Sequence, residues 1–200
     1  TFPINDKTGR TVAFGGRDLT NKAPAKYLNS PETILFQKKN IVYNYHNAKK
    51  LLANESQLLV CEGYFDCITL SINGFRKSVA TMGTSMSAVQ IQLLWQLSNL
   101  PILCYDGDTA GVNAANRIID IIFPILKPGY SMKFIFFPDG MDPDDFLKKR
   151  GKNEMDKLIS NATPLIDIFW AHFITSSNFG TPEDRANIEN QLNKMMDRIE

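Results

Sequence analysis

A chain of 200 residues can bury one sizeable core and leave room for a small additional unit. Hydrophobic residues make up 44% and charged residues 22%, which excludes a disordered or low-complexity chain, and no apolar run reaches the length of a membrane span. The net charge of +1 hides an uneven distribution: residues 1–57 carry nine Lys/Arg against four Asp/Glu, residues 58–147 five against nine, and residues 148–200 eight of each.

The pattern over residues 1–17 predicts a hairpin-like β unit. Asn5-Asp6-Lys7-Thr8-Gly9 is a turn, and Thr11-Val12-Ala13-Phe14 is a short strand closed by Gly15-Gly16. Residues 18–33 are polar and turn-rich, and Pro24 and Pro31 discourage regular structure there. A loop offering Lys26, Tyr27, Asn29, Ser30 and Thr33 is either a phosphate or nucleic-acid contact or an ordinary surface loop. Leu35-Phe36 is expected to anchor it to the core, ahead of Lys38 and Lys39. An amphipathic helix is expected over 41–53, with Ala48, Leu51 and Leu52 inward.

From 57 to about 147 the order is strand, helix, repeated four times. Strands are predicted near 58–61, 78–81, 102–105 and 133–137, and helices near 65–73, 87–97, 109–126 and 143–149. Continuous apolar runs without alternation are strands buried on both faces, and helical crossovers between them make a largely parallel sheet. Residues 150–200 show helical periodicity only, interrupted at Ser176–Pro182. Thr181 is the expected N-cap of the last helix, with Pro182 in its first turn, and Leu165, Ile168, Phe169 and Phe173 form an apolar stripe.

Three acidic stretches follow strand patterns: Glu62-Gly63-Tyr64-Phe65-Asp66, Tyr105-Asp106-Gly107-Asp108 and Asp142-Pro143-Asp144. In an open α/β sheet ligands bind at the carboxyl ends of strands. Unit charges about 4 Å apart repel by about 4 kcal/mol at an effective dielectric near 20. A cluster of six carboxylates therefore needs protons or a cation, and an all-oxygen donor set points to Mg²⁺ or Mn²⁺, two or more ions, with no zinc. The competing reading is that each acid caps a helix or makes a turn; Asp139 is assigned to a turn and Asp145 to a helix start. Met82-Gly83-Thr84-Ser85 precedes a helix, where small residues and hydroxyls either hold a phosphate or cap the helix. Cys61, Cys67 and Cys104 fall in apolar settings, as reduced thiols do. The basic front beside the acidic centre suits a polyanion held against a metal site, or simply a solvated lysine-rich surface.

These residues resemble the Toprim domain, in which a Glu follows the first strand and an Asp-x-Asp a later one; here those are Glu62 and Asp106-Gly107-Asp108. Further stretches are similar to the bacterial replicative primase family of the DnaG type: Tyr27-Leu28-Asn29-Ser30-Pro31-Glu32-Thr33, Glu62-Gly63-Tyr64-Phe65-Asp66, Gly83-Thr84-Ser85, Tyr105–Asp108 with Ala110-Gly111, and Pro138-Asp139-Gly140 with Asp142-Pro143-Asp144. Cys61 and Cys67 depart from the apolar or small residues expected there. The resemblance implies an α/β fold with a basic amino-terminal α+β subdomain over 1–56, a Toprim core over 57–148 and a helical subdomain over 149–200. It also implies a segment of a longer protein whose zinc-binding and helicase-binding parts lie elsewhere.

The activity so implied is synthesis of RNA primers on single-stranded DNA from ribonucleoside triphosphates, by a monomer at the bacterial replication fork in the cytoplasm. The replicative helicase would be a partner through another domain, and no membrane is involved. Asp66, Asp106, Asp108, Asp142 and Asp144 would hold metal, and Glu62 would be catalytic, as ligand or proton acceptor. Lys26, Tyr27, Asn29 and Lys38 would meet nucleotide or nucleic acid, and Gly83, Thr84 and Ser85 would lie near phosphate. The alternatives are a Toprim nuclease, a topoisomerase and a nucleic-acid or helicase docking module. No Tyr after residue 130 offers a topoisomerase nucleophile, and a nuclease would not need the 26–33 stretch.

Overall fold

The computed structural model describes residues 1–20, 27–51, 57–83, 85–177, 180–197 and 199. Three strands open the chain: β1 (Phe2–Asn5), β2 (Thr11–Arg17) and β3 (Tyr27–Asn29), paired antiparallel in that order. Two expectations are corrected here. Gly15-Gly16 do not close the second strand, which runs on to Arg17, and Tyr27–Asn29 is a strand rather than a loop, because Gly15, Gly16 and Arg17 pair with Asn29, Leu28 and Tyr27. Phe36 anchors the segment after β3 at 1% exposure, whereas Leu35 points outward at 73%. The first helix is shorter than its periodicity suggested: α1 spans Tyr45–Lys50, and residues 52–56 lie outside the described residues.

The main sheet has five strands: β4 (Leu59–Cys61), β5 (Ser78–Ala80), β6 (Ile102–Tyr105), β7 (Lys133–Phe136) and β8 (Thr163–Pro164). Their order is β5-β4-β6-β7-β8, parallel throughout except for antiparallel β8. β8 corrects the expectation of helix alone after residue 150: this two-residue strand pairs with Lys133 and Phe134. The connecting helices are α2 (Tyr64–Ile72), α3 (Ala88–Trp95), α4 (Thr109–Ile122) and α5 (Pro143–Ser160), the last bent at Gly151. Two helices complete the chain, α6 (Leu165–Ser176) and α7 (Pro182–Met196), and Thr181 caps α7 as expected.

The strands divide their side chains between two layers, which is why they carry no polar alternation. Val60, Val79, Leu103, Tyr105 and Phe134 join a core with α3, α4, α6 and Ile188 of α7. Leu59, Cys61, Ile102, Cys104 and Ile135 join another with α2 and α5. Of the expected stripe on α6, Leu165, Phe169 and Phe173 are buried and Ile168 packs against them from the edge. All three cysteines are buried free thiols.

Topology places the crevice. The chain leaves β4 outward to β5, and β6 returns on the other side of β4. The connections therefore part between the carboxyl ends of β4 and β6, where a ligand crevice forms in such sheets. Backbone pairing also runs past the strand ends: Met82 N–H donates to the Glu62 carbonyl at 3.0 Å, which sets the left-handed Met82-Gly83 turn beside Glu62. The small sheet is tied on by Tyr43, which exchanges backbone hydrogen bonds with Ala80, and by buried Gln90, whose amide donates to the carbonyls of Lys38 and Ile41.

Two glycines let the aspartate loops close onto the sheet. A Cβ on Gly107 would run into the carbonyl of Phe137 at the end of β7, and one on Gly111 into the carbonyl of Asp106. Gly107→Ala is expected to cost about 3 kcal/mol, because a backbone carbonyl cannot give way as a side chain can. Urea unfolding checks this, as a lower midpoint at unchanged slope.

Candidate metal centre

Each acidic stretch is fixed by helix capping before any ligand is considered. Asp66 sits in the first turn of α2, and its Oδ2 accepts a hydrogen bond from the Gly63 N–H at 3.2 Å. Asp108 is the N-cap of α4, its Oδ1 accepting from Gly111 N–H at 2.8 Å. Asp142 is the N-cap of α5, its Oδ1 accepting from Asp145 N–H at 2.7 Å. The capping and metal readings are thus compatible. A carboxylate has two oxygens, and in these three the second oxygen has no hydrogen-bond partner among the described residues.

Asp144 is bound differently. Its Oδ1 accepts from the Thr69 hydroxyl at 2.7 Å, and its Oδ2 pairs with Lys148 at 2.5 Å. Burial alone would raise its carboxyl, but Lys148 and Thr69 outweigh that and hold it below the ordinary range. Ligand oxygens of Asp142, Asp144 and Asp145 lie within 4.8 Å of one another. Asp145, assigned from sequence to the helix start alone, does donate its N–H there, yet its carboxylate also stands in this group.

The carboxylates line two adjoining cavities. A cleft of about 420 Å³ is lined by Glu62, Asp106 and Asp108 together with Thr81, Ser85 and Arg117. A cavity of about 240 Å³ is lined by Glu62, Asp66, Asp106 and Asp142, with Tyr27, Asn29, Gly83 and Cys104. Glu62 and Asp106 belong to both. Asp144 lines neither, although its carboxylate stands in the group with Asp142 and Asp145.

Crowding shows in the acids' proton affinities. Burial, then the charges of Asp142 and Asp106, push Asp66 up to about 7, against the lowering pull of the Gly63 N–H. Glu62 is raised by desolvation and by Asp106 and Asp108, and Asp106 by desolvation and by Asp142 and Asp108. Oxygen donors held this close, with a carboxyl pushed up to about 7, are what a divalent cation relieves. Two sulfur-bearing residues, Met82 and Cys104, also line the smaller cavity, and burial pushes the Cys104 thiol up to about 12.

Of the other expected site residues, Tyr27 and Asn29 reach the smaller cavity, and the Tyr64 hydroxyl donates to Asn29 Oδ1 and fixes it. Gly83 and Ser85 line one cavity each. Lys26 and Thr84 lie outside the described residues. Lys38 lines neither cavity; it stands in the 3₁₀ turn Lys38–Asn40, its N–H on Glu32 and its carbonyl on Gln90. Two cations escaped the sequence reading. Arg17 stacks over Phe65 at 4.6 Å and Tyr27 at 5.8 Å, and its charge reaches Asp144. Arg117 faces the larger cleft. Arg17 becomes visible only once β2 is seen to continue through its glycines.

The parallel core, its crevice and its carboxylates are those of a Toprim-type α/β module. Residues 59–147 match the family described as Toprim-like, and residues 1–49 match the DNA primase catalytic core, N-terminal domain. The DNA primase of Haemophilus influenzae is 43% identical over 187 residues, which cover 94% of this chain and 31% of that protein. A solved structure of the DnaG catalytic core superposes with a TM-score of 0.91 at 39% identity, covering 99% of this chain and 64% of that one. A DnaG primase catalytic domain solved bound to single-stranded DNA gives the same values. The chain therefore belongs to the DnaG-type DNA primase family and spans about a third of the length of the curated relatives it matches.

The elevated Asp66 predicts how metal-free stability depends on pH. A carboxyl raised in the folded state favours folding below its unfolded pKa, and that contribution is lost as pH rises toward and through about 7. With chelator present, the melting temperature is expected to fall between about pH 4 and pH 7. Asp66→Asn should flatten this slope, and Mg²⁺ should restore the parent's stability at neutral pH. Thermal melts across pH, with and without Mg²⁺, check all three outcomes.

Proposed function

We propose that this chain carries the nucleotidyl-transfer site of a DNA-dependent RNA polymerase that makes short RNA primers on single-stranded DNA. The observation that carries this reading is the meeting of three carboxylate-bearing strand ends at the switch point, walled by Tyr27 and Asn29 of the small sheet. A site for phosphodiester hydrolysis alone has no need of that second wall. The single-stranded DNA held by a relative's catalytic domain supports the same template for this chain.

In this reading residues 1–56 present nucleotide and nucleic acid, residues 57–148 form the catalytic Toprim core, and residues 149–200 brace it with helices. Asp106, Asp108 and Asp142 hold divalent metal directly, with Asp66 and Asp144 completing the site and Asp145 beside them. The carboxylate donor set favours Mg²⁺ or Mn²⁺, two or more ions, and gives zinc no role in this segment. When bound, such ions lower the pKa of an attacking hydroxyl and neutralise phosphate charge.

The chain's own groups do the rest. Glu62, raised by desolvation and by its two aspartate neighbours, is suited to accept the proton of the primer 3′-hydroxyl at the boundary of the two cavities. Tyr27 and Asn29 shape the nucleotide's wall, Asn29 being steadied by Tyr64. Lys26, Lys38 and Arg17 supply positive charge to nucleotide phosphates or template. Gly83, Thr84 and Ser85 bring backbone N–H groups and hydroxyls near phosphate. Base selection comes from the template. The remaining assignments are a monomer acting at the bacterial replication fork, with a replicative helicase recruited through another part of the protein.

Template-dependent lengthening of an annealed RNA primer with Mg²⁺ or Mn²⁺ and all four ribonucleotides is the expected result, abolished by Asp106→Ala. Shortening of the strands instead would replace polymerase with nuclease. Asp108→Asn should keep the fold, because asparagine caps a helix as well as aspartate does. It should nevertheless lower extension by about a hundredfold or more, since transition-state charge stabilisation by a bound metal is worth several kcal/mol. An unchanged rate in Asp108→Asn would remove that residue from the metal site.

A further inference from the structure

The larger cleft contains a cation to which the metal site gives no role. Arg117 stands in the third turn of α4 and lines the same cleft as Glu62, Asp106 and Asp108. Its Nε donates to the Asn113 carbonyl at 3.2 Å, one turn back on the same helix. That bond uses one of five guanidinium N–H groups and holds the fork against the helix wall. Among the described residues Arg117 makes no ion pair, although three carboxylates line the same cleft.

The lining therefore combines two chemistries: three acids, and the basic Arg117 with the hydroxyl residues Thr81 and Ser85. Once cations neutralise the acids, the guanidinium is the unbalanced charge of the cleft, and its planar fork suits a phosphate. The smaller cavity is lined otherwise: its acids stand with Tyr27 and Asn29 and with no Lys or Arg, and it shares Glu62 and Asp106 with the cleft. In an in-line displacement the attacking and leaving oxygens lie on opposite sides of the transferred phosphorus. Two cavities joined at shared carboxylates offer those two sides.

We propose that Arg117 anchors a phosphate group in the larger cleft, across Glu62 and Asp106 from the Tyr27–Asn29 wall. The phosphate is either the phosphodiester behind the primer 3′ end or the diphosphate released from the nucleotide. The inference rests on the polymerase reading for the source of the phosphate, and on the cleft alone for the anion site.

The test uses the parent chain, Arg117→Ala and Arg117→Lys. Three affinities are measured: Mn²⁺ alone by electron paramagnetic resonance, and, with Mn²⁺ present, inorganic pyrophosphate by calorimetry and an RNA–DNA primer-template by fluorescence anisotropy. Arg117→Ala is expected to bind Mn²⁺ as tightly as the parent or more so, because a nearby positive charge has gone. It should lose about tenfold or more in affinity for one of the two phosphate ligands, with partial recovery in Arg117→Lys. A loss confined to pyrophosphate assigns the leaving group, and a loss confined to the primer-template assigns the strand.

Unchanged affinity for both ligands overturns the proposal. So does a fall in Mn²⁺ affinity of equal size, which would make Arg117 a support for the carboxylates. A parent chain that binds Mn²⁺ but neither phosphate ligand overturns it too, while primer extension judges the polymerase reading separately.

Discussion

Mutual repulsion among the acids at the ends of β4, β6 and β7 is the constraint on which the rest of this structure turns. A pair of unit charges about 4 Å apart costs about 4 kcal/mol at an effective dielectric of 20. Helix termini carry part of that cost, because Asp66, Asp108 and Asp142 each accept one backbone N–H in a first turn. The remainder shows in Asp66, whose carboxyl burial and neighbours push up to about 7. The fold thus holds its carboxylates in an arrangement that a divalent cation stabilises and that protons or helix N–H groups only partly relieve.

That arrangement depends on a scaffold that cannot yield. β4 and β6 are covered on both faces, so the strand ends have no freedom to spread apart. Gly107 and Gly111 bring the Asp106–Asp108 loop against the ends of β6 and β7, where any side chain would collide with backbone. Thr69 on α2 reaches Asp144 on α5 and so ties the helix that carries Asp66 to the third acidic stretch. The small sheet then closes one side of the site through Tyr27, Asn29 and the aromatic cluster of Phe2, Tyr43 and Tyr64.

Division of the acids between two cavities gives the site its polarity. Glu62 and Asp106 stand at the junction, Asp66 and Asp142 on the Tyr27–Asn29 side, and Asp108 on the Arg117 side. Asp108 leaves the strand to cap α4 and follows the helix rather than the sheet.

The sequence by itself determined the order of the parallel core, the three acidic stretches and their Toprim and primase character. Continuous apolar strands and capped helix starts are local patterns, and motif residues keep their spacing whatever surrounds them. Only the tertiary structure decided the extension of β2 through Gly15-Gly16, the pairing of Tyr27–Asn29 and the edge strand β8. Each of these is stabilised by a partner distant in sequence, which outweighs the local turn signals of glycine and proline. The same holds for Asp145 beside Asp142 and Asp144, for Arg17 over Phe65, and for Arg117 in one cleft with Glu62. Charges acquire a role when folding sets the distance between them, and the order of residues along the chain does not contain that distance.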